Sequence, residues 1–388
     1  MQRRQFMSLL GGAALTPVGA TPVFAAAHAN CAGPARREDG WSVPSASADN
    51  DINLAALCGM ADRLESSGAN IHAVLVARHG RLAFERYFNG SDEVPSRFFG
   101  VRVKDISFDA DTLHNLKSCS KSVASLVIGI AIDQGLIRSI DEPVFNFFPE
   151  LSDLRSPDKD RILLSHLLTM SLGLKWVEAT PATGDDNDEV RMHLAQDACR
   201  YVLGLPVTAP AGQEFFYNTG ALAVLSAIIR KAAGRPLDEF ARSVLFDPLG
   251  ITEFEWRRFK GDSDAGGGLR LRPRDMAKIG QLVLAGGRWN DRQIVSKAWI
   301  EASTATKLKA NDYQSYGYLW WLGRSRLNGR MVPWMGALGR GGQSIRIVPE
   351  LDLVVAVTAG YYQDYSPEAF KLQYDVFRDV LQAISPPV

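Results

Sequence analysis

Between residues 54 and 88 the apolar positions change rhythm. From Leu54 to Leu64 they recur at helical spacing, and His72-Ala73-Val74-Leu75-Val76-Ala77-Arg78 then reads as a strand. His79-Gly80 supplies a tight turn, and Arg81 to Phe88 returns as a second strand, a hairpin suited to an antiparallel sheet. From about 116 to 260 the pattern is helical. Ser120 to Gln134 carries Val123, Ala124, Leu126, Val127, Ile128, Ile130 and Ile132, so this helix is apolar on nearly every side and expected to be buried all round. Gly135 is a natural stop. Leu164 to Met170 and Gly220 to Ala233 read as further helices, the second closed by Gly234.

After Asp264-Ala265-Gly266-Gly267-Gly268, a helix is predicted over Asp275 to Leu284. Strands are predicted at Tyr318 to Leu322, Gln343 to Val348 and Leu353 to Thr358. The near-continuous apolar run of the last suits a central strand. Pro367 to Ile384 reads as a terminal helix covering the sheet. The expected fold class is α/β (α+β): an antiparallel sheet flanked by helices, formed by both chain ends (51–115 and 262–388), with an all-helical lobe (116–261) inserted between them.

The chain has 388 residues and 46% apolar content, enough for a large buried core. Lysines plus arginines equal aspartates plus glutamates at 43 each, so no global field favours nucleic acid or anionic lipid. Residues 1–29 read as a targeting segment. Arg3-Arg4-Gln5-Phe6-Met7 resembles a twin-arginine export signal, a weakly apolar stretch runs from Leu9 to Phe24, and Ala25, Ala27 and Ala29 offer cleavage sites. Pro17, Pro22 and several glycines interrupt the run, which argues against a spanning anchor. The expected location is therefore periplasmic or secreted, with no stable membrane anchor after cleavage. Residues 30–50, rich in Ala, Ser, Pro and Asp, read as a surface arm. The four cysteines, Cys31, Cys58, Cys119 and Cys199, allow three pairings.

Ser118-Cys119-Ser120-Lys121 is an S-x-x-K tetrad. Such tetrads arise by chance, and Ser156-Pro157-Asp158-Lys159 is a second one, set in a polar loop. Ser118 differs because it falls at the start of the buried helix. The i, i+3 spacing puts the Lys121 amine on the same face as the Ser118 hydroxyl. Burial disfavours the charged amine, and a neutral lysine takes a serine proton. The plain alternative is a capping serine followed by a surface lysine. Tyr217-Asn218-Thr219-Gly220 stands just before another helix; its tyrosine either relays a proton or is a core aromatic followed by a cap. Gly339-Arg340-Gly341-Gly342-Gln343 precedes an apolar strand, and reads either as a turn or as a strand edge where a ligand approaches the backbone. Tyr316, Trp320, Trp321 and Trp334 read as core packing, with a cleft lining as the alternative.

Leu116-Lys117-Ser118-Cys119-Ser120-Lys121-Ser122-Val123 resembles the nucleophile motif of β-lactamases and penicillin-binding proteins. It is more similar still to class C-related serine hydrolases, which include esterases and 6-aminohexanoate-dimer hydrolases. Further stretches resemble that family in order: Ser165 to Leu174, Phe246 to Ile251, Asp264 to Leu269 and Val348 to Val355. Together they cover roughly 50–380 and imply a β-lactamase/transpeptidase-like fold. By this resemblance Ser118 is the nucleophile, Lys121 its base and Tyr217 the tyrosine of a Y-x-N motif. This chain departs there, with Asn218 one place early and Thr219 in the usual Asn position. Arg340, Gly341 and Gly342 lie where relatives carry K-T-G or H-x-G, and Gln343 would donate the second oxyanion N–H.

Competing chemistries lack their residues. There is no G-x-S-x-G elbow, and the six histidines end at His193, too early for an α/β-hydrolase. No H-E-x-x-H or paired cysteine spacing implies a metal or cofactor. His114 and His166 read as structural. The expected activity is hydrolysis of a small-molecule amide or ester through an acyl-enzyme, with β-lactam, D-amino-acid peptide, short ester and aminohexanoate oligomer all open. The variant motifs favour an esterase or amidase over an efficient β-lactamase. The alternative is a binding protein that kept the fold and lost turnover.

Overall fold

A computed structural model of the chain describes residues 33–44, 51–95, 101–178, 186–362 and 367–384. The expected targeting segment, Cys31 and part of the expected surface arm lie outside the described residues. Those described belong to one compact unit, Gly33–Val388.

Eight antiparallel strands form the main sheet: β1 Ile71–Arg78, β2 Arg81–Tyr87, β3 Leu308–Lys309, β4 Ser315–Tyr316, β5 Trp321–Leu327, β6 Arg330–Gly339, β7 Gln343–Val348 and β8 Leu353–Ala359. Their order is β3-β4-β5-β6-β7-β8-β1-β2, so the two ends of the chain meet where β1 pairs with β8. That seam joins Val74 to Val357 and Val76 to Val355 in register, two largely apolar strands buried along their length. The β1–β2 turn places His79 and Gly80 at positive φ, the geometry a two-residue hairpin requires.

Six helices matter for the site: α1 Leu54–Ser66, α2 Cys119–Asp133, α3 Leu164–Leu168, α4 Gly220–Ala233, α5 Pro273–Leu284 and α6 Pro367–Ala383. Alternation along β7 sorts the layers. Ile345 meets α5 close to Gly280, while Arg346, pointing the other way, meets Tyr374 and Phe377 of α6. A Cβ on Gly280 would lie 2.5 Å from Val354, so glycine lets α5 settle on the sheet. On the same grounds α2 takes the indole of Trp299 against Gly129, and every residue from Cys119 to Ala131 is buried.

Several details differ from the sequence expectations. The strand expected at Tyr318 to Leu322 begins only at Trp321. Leu319 is left-handed (φ +64°), its carbonyl accepting the Ser122 hydroxyl at 2.6 Å and its N–H donating to Leu168 O, so the backbone there is spent on α2 and α3 instead of a ladder. Short strands at Glu255–Trp256 and Arg258–Phe259 close the segment expected to be helical. A hairpin of Asn89–Pro95 with Val101–Ser107, too polar to announce itself, follows β2. Residues 33–44 of the expected surface arm are stitched down: Trp41 is buried and donates to Arg274 O, and Asp39 pairs with Arg274. Cys119 and Cys199 are free thiols, whereas Cys58 is disulfide-bonded. No described helix is long and apolar enough to cross a membrane.

His72, Phe108 and His114 stack beside this hairpin, with ring centroids 3.8 Å and 4.8 Å apart in turn. Burial pushes His72 down to about 4 and holds His114 well below the usual imidazole range. Both are depressed, so the unfolded chain binds more protons than the folded one once pH falls below about 6.5. Stability is therefore expected to decline between pH 6.5 and 4, by roughly 3 kcal/mol from His72 alone. Melting temperatures measured across that range in wild type and His114→Phe test this: the variant should fall less steeply, and identical slopes would contradict it.

Candidate active site

Ser118 stands at the N-terminus of α2, and its hydroxyl makes no capping bond. The N-cap serine of an ordinary helix spends that hydroxyl on the first turn. Here the first turn is held otherwise. Asn115 Oδ1 accepts from Lys117 N, Ser120 Oγ donates to Lys117 O and accepts from Leu269 N. These bonds fix Lys117 in a left-handed conformation (φ +47°), a costly one for a side-chain-bearing residue. The Lys117 amine is tied down as well, 3.0 Å from Glu93 and over the ring of Tyr362. The strained turn presents Ser118 at the edge of a cavity. No hydrogen bond to the Ser118 N–H is found among the described residues.

One helical turn on, Lys121 is 2% exposed, its Nζ 3.0 Å from Ser118 Oγ and 2.6 Å from Gly266 O. Burial holds the amine below the ordinary lysine range, opposed by the fields of Glu178, Glu189 and Asp264. Uncharged, it accepts the Ser118 proton while still donating to Gly266. A Cβ on Gly266 would meet Thr219 at 2.5 Å, so only glycine brings this carbonyl so close.

Tyr217 lies over the pair, its ring centroid 5.0 Å from Lys121 Nζ and stacked on Trp321. Burial, reinforced by the Glu178 charge, pushes the phenol well above its usual range, against a hydrogen bond with Ser118 that favours the phenolate. The two neighbours of Ser118 are thus driven apart, the amine toward neutrality by losing a proton and the phenol by keeping one. Separations of this kind assign acid and base roles.

Ser118, Tyr217, Glu178, Phe216, Gln314, Trp321, Leu338, Gly339, Arg340, Gln373 and Tyr374 line a cavity of about 510 Å³. Strand β6 forms one wall. Its last pairing with β5 is Trp321 with Gly336, so Ala337 to Gly339 run on with β7 on one side only. Alternate backbone N–H groups of such an edge point at whatever occupies the cavity. A Cβ on Gly339 would stand 2.5 Å from Leu116 O and 3.3 Å from Cys119 N, which makes glycine the residue that lets β6 lie against the start of α2.

Of the residues singled out from sequence, Ser118, Lys121, Tyr217 and Arg340 come together here. Asn218, Gly341, Gly342 and Gln343 are not among the residues that line the cavity. Asn218 is buried, its carbonyl accepting from Ala221 N at the start of α4, so its amide serves the helix. Thr219, in the usual Asn position, donates through N and Oγ1 to Glu178. Gly341 and Gly342, at φ +83° and +97°, make the β6–β7 turn, where Tyr362 leaves no room for a Cβ on Gly341. Gln343 is fully buried, its side chain clamping the Ala359 backbone on β8. Tyr316, Trp320 and Trp334 are core residues, and Trp321 alone of the four reaches the cavity. His166 accepts from Leu163 N and stays structural. Glu178, Gln314, Gln373 and Tyr374 carry no motif and were invisible beforehand.

The Beta-lactamase family model matches residues 60–371. The chain belongs to the beta-lactamase family. Among its relatives, a 6-aminohexanoate-dimer hydrolase of Paenarthrobacter ureafaciens is 24% identical over 71% of this chain and 74% of that protein. Esterase EstB of Burkholderia gladioli is 26% identical over 46% of this chain and 45% of its own length, so the match spans less than half of the esterase. The fold is shared with an octameric penicillin-binding protein homologue from Pyrococcus abyssi, at a TM-score of 0.62 and 20% identity over 86% of this chain and 79% of that one.

Gly339→Ala should push β6 away from the first turn of α2 and misplace the groups facing Ser118. Displacements of this order cost tenfold or more in rate. We expect fluorophosphonate labelling of Ser118 to slow by at least about tenfold, with circular dichroism unchanged. Labelling at the wild-type rate would show that the approach has no bearing on the site.

Proposed function

We propose that the cavity hydrolyses an amide or ester bond through a covalent acyl-enzyme at Ser118. The observation that carries this is the buried Lys121 amine, 3.0 Å from a serine hydroxyl that has no capping duty. Membership of the beta-lactamase family and relatives named as hydrolases support it.

In the first step Lys121 Nζ takes the Ser118 proton as Oγ attacks the carbonyl carbon. The oxyanion is met by the Ser118 N–H and by an N–H on the free edge of β6 near Leu338–Arg340. One such donor is worth about 3 kcal/mol in the transition state. The Lys121 ammonium then returns the proton, through the Tyr217 phenol, to the leaving amine or alkoxide as its bond breaks. Water next attacks the acyl-enzyme with the same pair accepting its proton, releasing the acid and restoring the serine. Arg340, on the cavity wall, supplies a cation where K-T-G relatives carry one, with a longer and forked reach. An esterase or linear amidase is favoured over an efficient β-lactamase, because the contact expected of a Y-x-N amide is replaced here by Gly266 O and a Thr219–Glu178 pair. A binding protein without turnover is disfavoured by the buried amine, which burial holds below the ordinary lysine range at 3.0 Å from the Ser118 hydroxyl. Export through the twin-arginine-like leader, placing the enzyme in the periplasm or outside the cell, is part of this proposal and rests on Arg3, Arg4 and the alanines before Cys31.

A fluorophosphonate probe should modify the wild type and leave Ser118→Ala unmodified; equal labelling of both would remove Ser118 from its role. The rate constant kcat/KM should rise with pH as Lys121 loses its proton. Glu178 favours the ammonium, so Glu178→Gln should move this acidic limb to lower pH. The glutamine can keep its neighbours by turning its amide NH2 toward Thr219 Oγ1. A limb that stays put or moves upward would separate Lys121 from the base role.

A further inference from the structure

We propose that Arg346 is a positioning residue: its caged guanidinium pins the Tyr374 ring, and with it the α6 wall of the cavity, against the β6 edge that faces Ser118, and so sets the affinity for substrate. This rests on the hydrolase reading of the same cavity. Arg346 is fully buried on β7, and no carboxylate pairs with it among the described residues. Its Nε and Nη2 have no hydrogen-bond partner there, and Nη1 donates to Gln373 O at 3.5 Å. Three rings surround it instead: Tyr374 at 4.2 Å and Phe377 at 4.8 Å, both from α6, and Trp334 of β6 at 5.0 Å, from guanidinium carbon to ring centroid. Room for the indole is made on β5, where a Cβ on Gly323 would stand 2.4 Å from Trp334.

A buried charge is costly, and an apolar side chain of similar size usually holds a core as well or better. Stability alone therefore gives no reason for a guanidinium here. Position does. Gly336, the β6 partner of Arg346, is also the residue at which β6 stops pairing with β5, just before Leu338 and Gly339 enter the cavity wall. Helix α6 brings Gln373 and Tyr374 to the same cavity. The cage thus ties two walls of the cavity together at one point. Tyr374 is 41% exposed, so nothing but the cation beneath it keeps its ring from swinging across the opening. A guanidinium at the face of the ring fixes its distance and its plane, which a plain hydrocarbon chain does not. Burial draws Arg346 down to about 10, which leaves it charged at neutral pH.

The test compares p-nitrophenyl butyrate hydrolysis by the wild type, Arg346→Met, Arg346→Lys, Tyr374→Ala and the double variant Arg346→Met with Tyr374→Ala. Arg346→Met should raise KM by about fivefold, the scale of one cation–π contact, while kcat moves less. Arg346→Lys keeps a cation for the rings and should recover part of that loss. In the Tyr374→Ala background Arg346→Met should add little, because the ring it acts through is gone. A KM unmoved by Arg346→Met, an Arg346→Lys enzyme no better than Arg346→Met, or full additivity with Tyr374→Ala would each overturn the proposal. Where circular dichroism shows that Arg346→Met does not fold, Tyr374→Ala, at an exposed ring, decides: KM should rise, and an unchanged KM overturns the role. Amide hydrogen exchange over residues 367–384 reads the clasp without turnover. Faster exchange in Arg346→Met, restored in Arg346→Lys, upholds it, and equal rates overturn it. A fluorophosphonate that leaves wild-type Ser118 unlabelled would strike the hydrolase reading instead, and the exchange measurement then decides the clasp by itself.

Discussion

Burial of the Lys121 amine beside the Ser118 hydroxyl, which disfavours its charged form, is the constraint that much of the architecture answers to. Desolvation is the one influence large enough to lower a lysine against three nearby carboxylates. It is achieved by sinking α2 into the centre of the molecule, with its whole first turn buried. The sheet edge at β6, the Gly266 loop and the start of α4 converge on that turn, and each comes from a different part of the sequence.

Close backbone approach is the means. Gly266 delivers a carbonyl to the amine, Gly339 lets a strand edge lie against the start of α2, and Gly129 admits the Trp299 indole farther along the helix. None of these contacts tolerates a Cβ without movement. The same economy explains the strain at Lys117. A residue forced into the left-handed region turns the chain sharply enough to put Ser118 at the cavity edge. The Glu93 ion pair and the Tyr362 ring hold the lysine side chain while the backbone is bent.

The carboxylates around the amine set its limits. Glu189 is pushed up mainly by its own burial, with the Glu178 charge adding to the effect. Glu178 is held by three donors from Trp176 and Thr219, so a charge placed beside the catalytic groups is fixed in position rather than free to pair with Lys121 directly. The site thus balances two opposed effects, burial that removes the proton from the lysine and fixed negative charge that returns part of its affinity.

What could be read from the residues in order was whatever local geometry enforces. The apolar runs of β1 and β8 and the all-round burial of α2 follow from periodicity, and the Ser118–Lys121 spacing follows from the pitch of a helix. Tyr217 was legible through its place before α4. In the third motif Arg340 reaches the cavity, the glycines after it make the turn, and the strand before it forms the wall. Which side of a hairpin faces a ligand depends on where the neighbouring strand stops pairing, here at Gly336. The Asn218 side chain holds the start of α4, a task that the pattern of residues does not separate from a substrate contact. Glu178, Gln314, Gln373 and the Gly266 carbonyl had no local signature at all. They reach Ser118 from separate elements, and side chains that meet only through packing leave no spacing for a sequence to show.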